Sequence, residues 1–206
     1  MCGRFMLLDE PENQEIRKII DMINERYNHE ETPKLKTGDI FPSDYAPVIL
    51  NNPADKKVLA LLKWGFPNPK GKSVIINARQ ETLHEKPMFR NLLFHKRCLI
   101  PASGFYEWKA IDNHKKDKYL IRTKQSAFYM AGLYNTFTDK QNIPYAAFVI
   151  ITTSANAEMS TIHSRMPVIF HKDKANQWLN YSINDISQLK NLLVPYPDSL
   201  ILKKAE

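Results

Sequence analysis

Cys2 brings together the most reactive groups in the chain. Initiator methionine is normally trimmed when the next residue is as small as cysteine. Trimming of Met1 would leave an α-amine and a thiol on neighbouring carbons. In model peptides such an amine has a pKa of about 8 and a thiol one of about 8.5, so both are expected to be partly nucleophilic at neutral pH. The amine can attack an aldehyde to give a Schiff base. The adjacent thiolate can then close onto the same carbon as a five-membered thiazolidine, an intramolecular step that gains from proximity. Position alone does not require this chemistry, because a cysteine after the initiator can also be an accident of a small residue there. The other cysteine, Cys98, lies in the strand-like run Arg97-Cys98-Leu99-Ile100, and a buried, inert thiol is expected. Two cysteines with no CxxC pair make no disulfide framework.

Cys2 opens the first of four blocks that follow one another along the chain. Cys2-Gly3-Arg4-Phe5 is followed by Ile76-Asn77-Ala78-Arg79-Gln80-Glu81-Thr82. Then comes a long block from Cys98 through Pro101-Ala102-Ser103-Gly104-Phe105-Tyr106-Glu107-Trp108. The last is Ile162-His163-Ser164-Arg165-Met166-Pro167-Val168-Ile169. In this order and at this spacing the blocks closely resemble the SRAP family, the abasic-site processing proteins also described as SOS-associated peptidases. The resemblance spans nearly the whole chain.

The resemblance implies roles residue by residue. Cys2 matches the crosslinking nucleophile and Asn77 the asparagine beside the crosslink. Glu107 matches an acidic residue that assists proton transfers, and His163 a histidine that acts on the sugar. Arg4 and Arg79 match arginines that hold DNA phosphates, and Arg165 is placed with them. The chemistry of these side chains agrees. An abasic sugar is mostly a closed hemiacetal, so opening it needs a proton at the ring oxygen, and histidine titrates in the right range. Loss of water from a carbinolamine also needs an acid, and a partly desolvated carboxyl can serve. Asparagine offers a donor and an acceptor without titrating, and arginines clamp phosphates in bidentate fashion. Taken singly, each residue has a plainer reading: Glu107 as a solvated strand position, His163 as an ordinary core or surface histidine, Asn77 as a turn residue. His29, His84, His95, His114 and His171 have no comparable context. Neither a metal site nor a cofactor is expected, since no Cys/His pair has ligand spacing.

Two stretches depart from the family pattern. Relatives carry a second tryptophan after a Trp-Gly-Leu-Ile-Pro-like run, whereas Trp64-Gly65-Phe66-Pro67 continues here as Asn68-Pro69-Lys70-Gly71-Lys72. Trp64, Phe66, Pro42 and Phe41 are the candidates to supply the base-stacking surface instead. The chain also stops at Lys203-Lys204-Ala205-Glu206, short of a family loop. Both changes bear on DNA affinity more than on the chemistry.

The elements that must position these residues can be read from periodicity. Residues 2–8 look like an opening strand. Asp9 and Pro11 give helix start signals, and Ile16, Ile19, Ile20, Ile23 and Tyr27 follow at helical spacing. Residues 28–44 read as a loop. Strand-like runs cover 48–50, 58–62, 74–76, 98–100, 105–108, 119–122, 128–133 and 147–152. Helical patterns cover 88–95, 173–179 and 185–193, and 199–202 could be a last strand. The charged patch 114–118 suits a hairpin turn. Strands cluster in the middle with helices around them, which predicts an α+β fold with a largely antiparallel, barrel-like sheet core flanked by helices. The resemblance makes it a single SRAP-like domain over residues 1–206.

Composition sets the remaining bounds. The 206 residues are 43% hydrophobic and 25% charged, an ordinary globular balance. No apolar run approaches the roughly eighteen residues of a membrane span, and no secretory signal is recognisable. A cytoplasmic, nucleoid-associated monomer is therefore expected. The net charge of +7 favours anionic partners such as nucleic acid. The leading reading is an abasic-site processing protein that binds single-stranded DNA and forms a thiazolidine crosslink through Cys2, with possible strand cleavage by β-elimination. An N-terminal-nucleophile cysteine peptidase using Cys2, His163 and Glu107 is the alternative, and a non-catalytic DNA-binding module is a third reading.

Overall fold

A short strand, β1 (Phe5–Leu7), is followed by helix α1 (Gln14–Arg26). The helix starts after Asn13 rather than at Asp9 or Pro11, because the Asn13 side chain accepts the Ile16 amide at 3.2 Å. Asn13 is itself pinned in the core: its amide donates to the Ser126 carbonyl at 2.9 Å and to Ser103 Oγ at 3.3 Å. Ile16, Ile19, Ile20 and Ile23 form the buried face of α1, as the spacing predicts.

The structure, a computed structural model, describes residues 2–27, 33–52, 56–112 and 114–205. The expected loop over 28–44 thus lies partly outside the described residues, as does His29. Its remainder holds an unforeseen strand, β2 (Gly38–Ile40), which pairs with β1. A Gly-Asp-Ile tripeptide has no strand signal of its own, and pairing with β1 makes it one. Next come β3 (Tyr45–Asn51), β4 (Lys57–Trp64), β5 (Phe66–Pro67), β6 (Val74–Ile75) and β7 (Asn77–Arg79). The expected helix over 88–95 is two short ones, α2 (Pro87–Arg90) and α3 (Leu92–His95), interrupted at Asn91. Five long strands follow: β8 (Arg97–Ala102), β9 (Gly104–Ala110), β10 (Lys116–Thr123), β11 (Phe128–Thr138) and β12 (Pro144–Ser154). The chain ends through α4 (Ala157–Ser160), β13 (Arg165–Pro167), β14 (Ile169–Phe170), α5 (Lys172–Leu179), α6 (Ile186–Leu192) and β15 (Leu200–Lys204).

The barrel closes. Around it β12 pairs with β4, β4 with β3, β3 with β8, β8 with β11, and β11 with β12 again. Of these five pairings, β12–β4 alone is parallel. Closure removes the open edges that such strands would otherwise expose. A second antiparallel sheet runs β15-β10-β9-β1-β2. The architecture is therefore α+β with a barrel-like, largely antiparallel core, as the sequence pattern predicts. One apolar cluster joins Cys2, Phe5, Trp64, Phe105 and Phe148. Another packs Phe89, Leu93, Trp178 and Leu189 of the helices onto the barrel. Gly65, at φ +112, turns the chain out of β4, and a Cβ there would meet Val74 Cγ2 at 2.8 Å. Among the described residues no helix is long and apolar enough to cross a membrane.

Candidate active site

The antiparallel pairing of β1 with β9 sets the position of Cys2. Phe5 pairs with Phe105, and the Tyr106 amide donates to the Arg4 carbonyl at 2.9 Å. This register carries the Glu107 carboxylate close enough to act on the Cys2 thiol. From the other side, Asn77 at the start of β7 donates its Nδ2 proton to the Cys2 carbonyl oxygen at 2.8 Å. The structure therefore brings Cys2, Asn77 and Glu107 together.

β7 owes its place to parallel pairing with β12, Ile150 opposite Asn77 and Thr152 opposite Arg79. Strand alternation sends Ala78, 1% exposed, into the core and leaves Asn77 and Arg79 on the opposite face. Trp64 holds the approach to this strand, its Nε1 donating to the Ile76 carbonyl at 3.1 Å. The Asn77 Oδ1 is buried and has no hydrogen-bond partner among the described residues. An unmet buried acceptor is costly, so this oxygen is suited to receive a donor from a bound molecule.

Cys2 is 0% exposed, and burial pushes its thiol well above the usual range. The negative charge of Glu107 adds a second push in the same direction. This corrects the expectation of a partly ionised thiol, which used the pKa of an exposed cysteine. The Sγ proton is directed to the Arg4 carbonyl at 3.7 Å. Cys98, also buried and raised by desolvation, is the inert thiol foreseen.

His163 lies between α4 and β13. Its amide donates to the Met159 carbonyl at 2.9 Å, and its ring Nδ1 accepts the Arg165 amide at 2.9 Å. Flanking Ile162 and Met166 pack into the same apolar cluster as Cys2.

The three arginines stand differently. The Arg4 guanidinium lies 4.3 Å from the Phe41 ring centre and 5.4 Å from that of Trp108, with Asp39 at 3.7 Å. Arg79 is exposed beside Asn77 and lines a cleft of about 590 Å³ with Ile75, Lys86 and Met88. Arg165 is already occupied: both its terminal nitrogens meet the Glu81 carboxylate. A phosphate contact by Arg165 would have to exchange with this carboxylate.

Residues 1–204 match the family described as SOS response associated peptidase (SRAP). The chain belongs to the SRAP family. Two Bacillus subtilis (strain 168) relatives are named abasic site processing proteins: YoaM, 38% identical over 95% of this chain and 86% of its own, and YoqW, 39% identical over 95% and 88%. A crystal structure of a Bacteroides thetaiotaomicron protein superposes with a TM-score of 0.79 at 24% identity, covering 100% of this chain and 92% of the other, which speaks to the fold.

In this SRAP chain two of the four residues offered from sequence for base stacking are out of reach of solvent. Trp64 and Phe66 are both 0% exposed. Trp64 stacks on Phe148 and meets Phe5 edge-on at 5.1 Å, while Phe66 packs against Phe137 at 4.9 Å. Neither ring has a face to offer a base. Phe41 is 36% exposed, with the Arg4 guanidinium and the Lys36 ammonium near its ring, and half-buried Trp108 lies 5.4 Å from the same guanidinium. Pro42 helps by shaping the turn: the Asp44 amide bonds back to the Phe41 carbonyl at 3.0 Å, with Ser43 at φ 76. Trp108 near Arg4 and Glu81 on Arg165 were not singled out from sequence, although both sit inside the quoted blocks. Among the described residues no cluster of His, Cys, Asp or Glu is arranged to hold a metal.

Proposed function

We propose that this SRAP chain captures the ring-opened aldehyde of an abasic site in single-stranded DNA, as a thiazolidine on Cys2. The observation that carries the reading is the fixation of the Cys2 backbone by Asn77 at 2.8 Å, with Glu107 acting on the same residue. The names of the relatives supply the substrate class.

Removal of Met1 frees the Cys2 amine, which attacks the aldehyde carbon to form a carbinolamine. Protonation of its hydroxyl, with Glu107 as shuttle, releases water and leaves an imine. The thiol then adds across the imine: the new bond joins sulfur to the former aldehyde carbon, and the thiol proton ends on nitrogen. The net reaction is aldehyde plus aminothiol to thiazolidine plus one water. A thiol kept protonated by burial suits this order, because the amine makes the first attack and Glu107 stands ready to relay the thiol proton. The imine also acidifies the neighbouring sugar C–H. Its loss with departure of the 3′ phosphate would cleave the strand by β-elimination.

The peptidase alternative requires the thiolate as first nucleophile. A thiol driven to its neutral form by burial and by a neighbouring carboxylate disfavours that order.

The test is intact mass spectrometry after incubation with an abasic single strand. The expected species is protein without Met1 plus oligonucleotide minus one water, stable to heat. Cys2→Ser should give only an imine that borohydride traps. An identical heat-stable, unreduced adduct from Cys2→Ser would sink the mechanism, and turnover of casein by the unmodified protein would favour the peptidase.

A further inference from the structure

We propose that Glu81 is a positioning residue that holds His163 in one ring tautomer, acting through Arg165. Glu81 belongs to the single 3-10 turn Gln80–Thr82 directly after β7, the strand that carries Asn77 and Arg79. Its carboxylate grips both terminal nitrogens of Arg165, with Oε2 at 2.9 Å from Nη2. The same Nη2 donates to the Thr152 carbonyl at 2.8 Å. Arg165, whose backbone pairs with Ser154 across β13 and β12, is thereby held at its side chain as well, and its backbone amide points at His163 Nδ1, 2.9 Å away. One ion pair thus spans the two segments that carry Asn77 and His163.

The consequence is chemical. An Nδ1 lone pair filled by an amide donor places the proton of the neutral ring on Nε2. His163 then presents Nε2–H as a donor. On the reading that the substrate is an abasic sugar, that N–H is a hydrogen-bond donor aligned on the ring oxygen, polarising the C1′–O bond while water supplies the proton that completes opening. A planar bidentate pair can fix the Arg165 backbone in a way that a lysine point charge could not. The remaining groups in contact agree: the hydrogen bonding of Arg165 holds the Glu81 carboxyl below its usual range, with smaller contributions from the charges of Arg165 and Arg79. A different role for Glu81, repelling phosphate from Arg79 and Arg165, predicts tighter DNA binding when the carboxylate is removed.

The experiment has two arms. Two-bond proton–nitrogen correlation spectra of the histidine rings report the tautomer without any DNA. In the unaltered protein His163 should show the proton on Nε2 alone. Glu81→Ala should give a mixture, and Glu81→Gln, which keeps the volume and part of the bonding, an intermediate pattern. The second arm compares adduct formation on a closed abasic sugar with that on an acyclic aldehyde. Glu81→Ala should slow the first at least about tenfold more than the second, the order expected when one aligned hydrogen bond to the reacting oxygen is lost. In a His163→Ala background it should add nothing. An unchanged tautomer in Glu81→Ala, or tighter single-strand binding with unchanged tautomer, overturns the proposal. A shifted tautomer in a protein whose unaltered form makes no adduct supports the positioning role and sinks the abasic-site reading instead.

Discussion

Asn77 Nδ2 and the Cys2 carbonyl oxygen meet at 2.8 Å across 75 residues of sequence. The bond fixes the backbone of the residue proposed to carry both nucleophiles, while the Asn77 Oδ1 has no hydrogen-bond partner among the described residues. Asn77→Ala is predicted to slow adduct formation about ten- to a hundredfold, the equivalent of roughly 1–3 kcal/mol for a lost buried hydrogen bond. Affinity for an intact single strand should change far less. Single-turnover rates beside binding titrations check this, and equal losses in both would reduce Asn77 to a general fold residue.

Phosphate contacts should be read from salt dependence. Arg79 is exposed beside Asn77, and Arg4 is poised over Phe41. Replacing either by alanine should lower the log–log salt slope of single-strand binding by roughly 0.7 per lost contact. Arg165→Ala should leave that slope unchanged, because its fork is bound to Glu81. A fall in slope for Arg165 equal to that for Arg79 would return it to the phosphate site.

Base stacking is predicted at Phe41 and Trp108, and not at Trp64 or Phe66. Phe41→Ala and Trp108→Ala should each weaken single-strand binding by about 1–3 kcal/mol, the usual worth of one stacked base. Trp64→Ala should instead lower folding stability by about 3–5 kcal/mol, since it empties a core position. Thermal melts and binding curves on the same variants separate the two. Intact binding by both Phe41→Ala and Trp108→Ala would remove the aromatic surface from the interface.

The contrast at Trp64 shows what the sequence could and could not carry. The barrel strands were legible because long β-rich runs alternate with turn residues, and α1 because its isoleucines recur at helical spacing. The residues gathered around Cys2 were legible because they lie in dense blocks of chemically capable side chains. Exposure was not legible: a tryptophan beside Gly65 reads the same whether it faces a base or, as here, Phe148 and Phe5. Nor was occupancy. Arg165 has the composition of a phosphate ligand, and only the fold shows Glu81 in its fork. Strands as short as β2 are defined by their partner, so nothing local announces them. The ionisation of Cys2 likewise depends on burial, which no reference pKa includes.

Stability should fall at both ends of the pH scale. Glu81 titrates below its unfolded value of 4.5, so the unfolded chain takes up the proton first and the stabilisation is lost as pH drops below that value. Its partial exposure keeps the effect small, and Glu81→Gln should flatten this part of the profile. Cys2 and Cys98 are raised from 9.0, Tyr129 and Tyr181 from 10.0, and Tyr106 from 10.0 to about 12, all led by burial. These groups keep protons that the unfolded chain loses, so stability is complete below about pH 9 and declines as pH rises past it. Urea denaturation from pH 3 to 11 checks both arms, and a profile flat between pH 9 and 11 would contradict the buried, protonated state of these groups.

The roles of Glu107 and His163 can be separated by supplying an aldehyde that is already open. Glu107 acts at the Cys2 end of the site, where its charge already bears on the thiol. It is assigned the proton transfers at the amine, the carbinolamine and the thiol. His163, whose Nδ1 accepts the Arg165 amide, is assigned the sugar. His163→Ala should therefore crosslink slowly to a natural abasic site, where ring opening limits the rate, and recover much of its rate on an acyclic aldehyde. Glu107→Gln keeps the shape of the side chain but loses its proton chemistry, so it should be slow on both. General acid–base assistance is typically worth about a hundred- to ten-thousandfold, which leaves ample range to see the difference. The two variants should also respond differently to added small acids, which can supply a proton to an open imine pathway more easily than to a sugar ring enclosed by protein. If His163→Ala is equally impaired on both aldehydes, ring opening is not its task. It is then better read as a base for the Cys2 thiol, and the balance moves toward the peptidase-like chemistry.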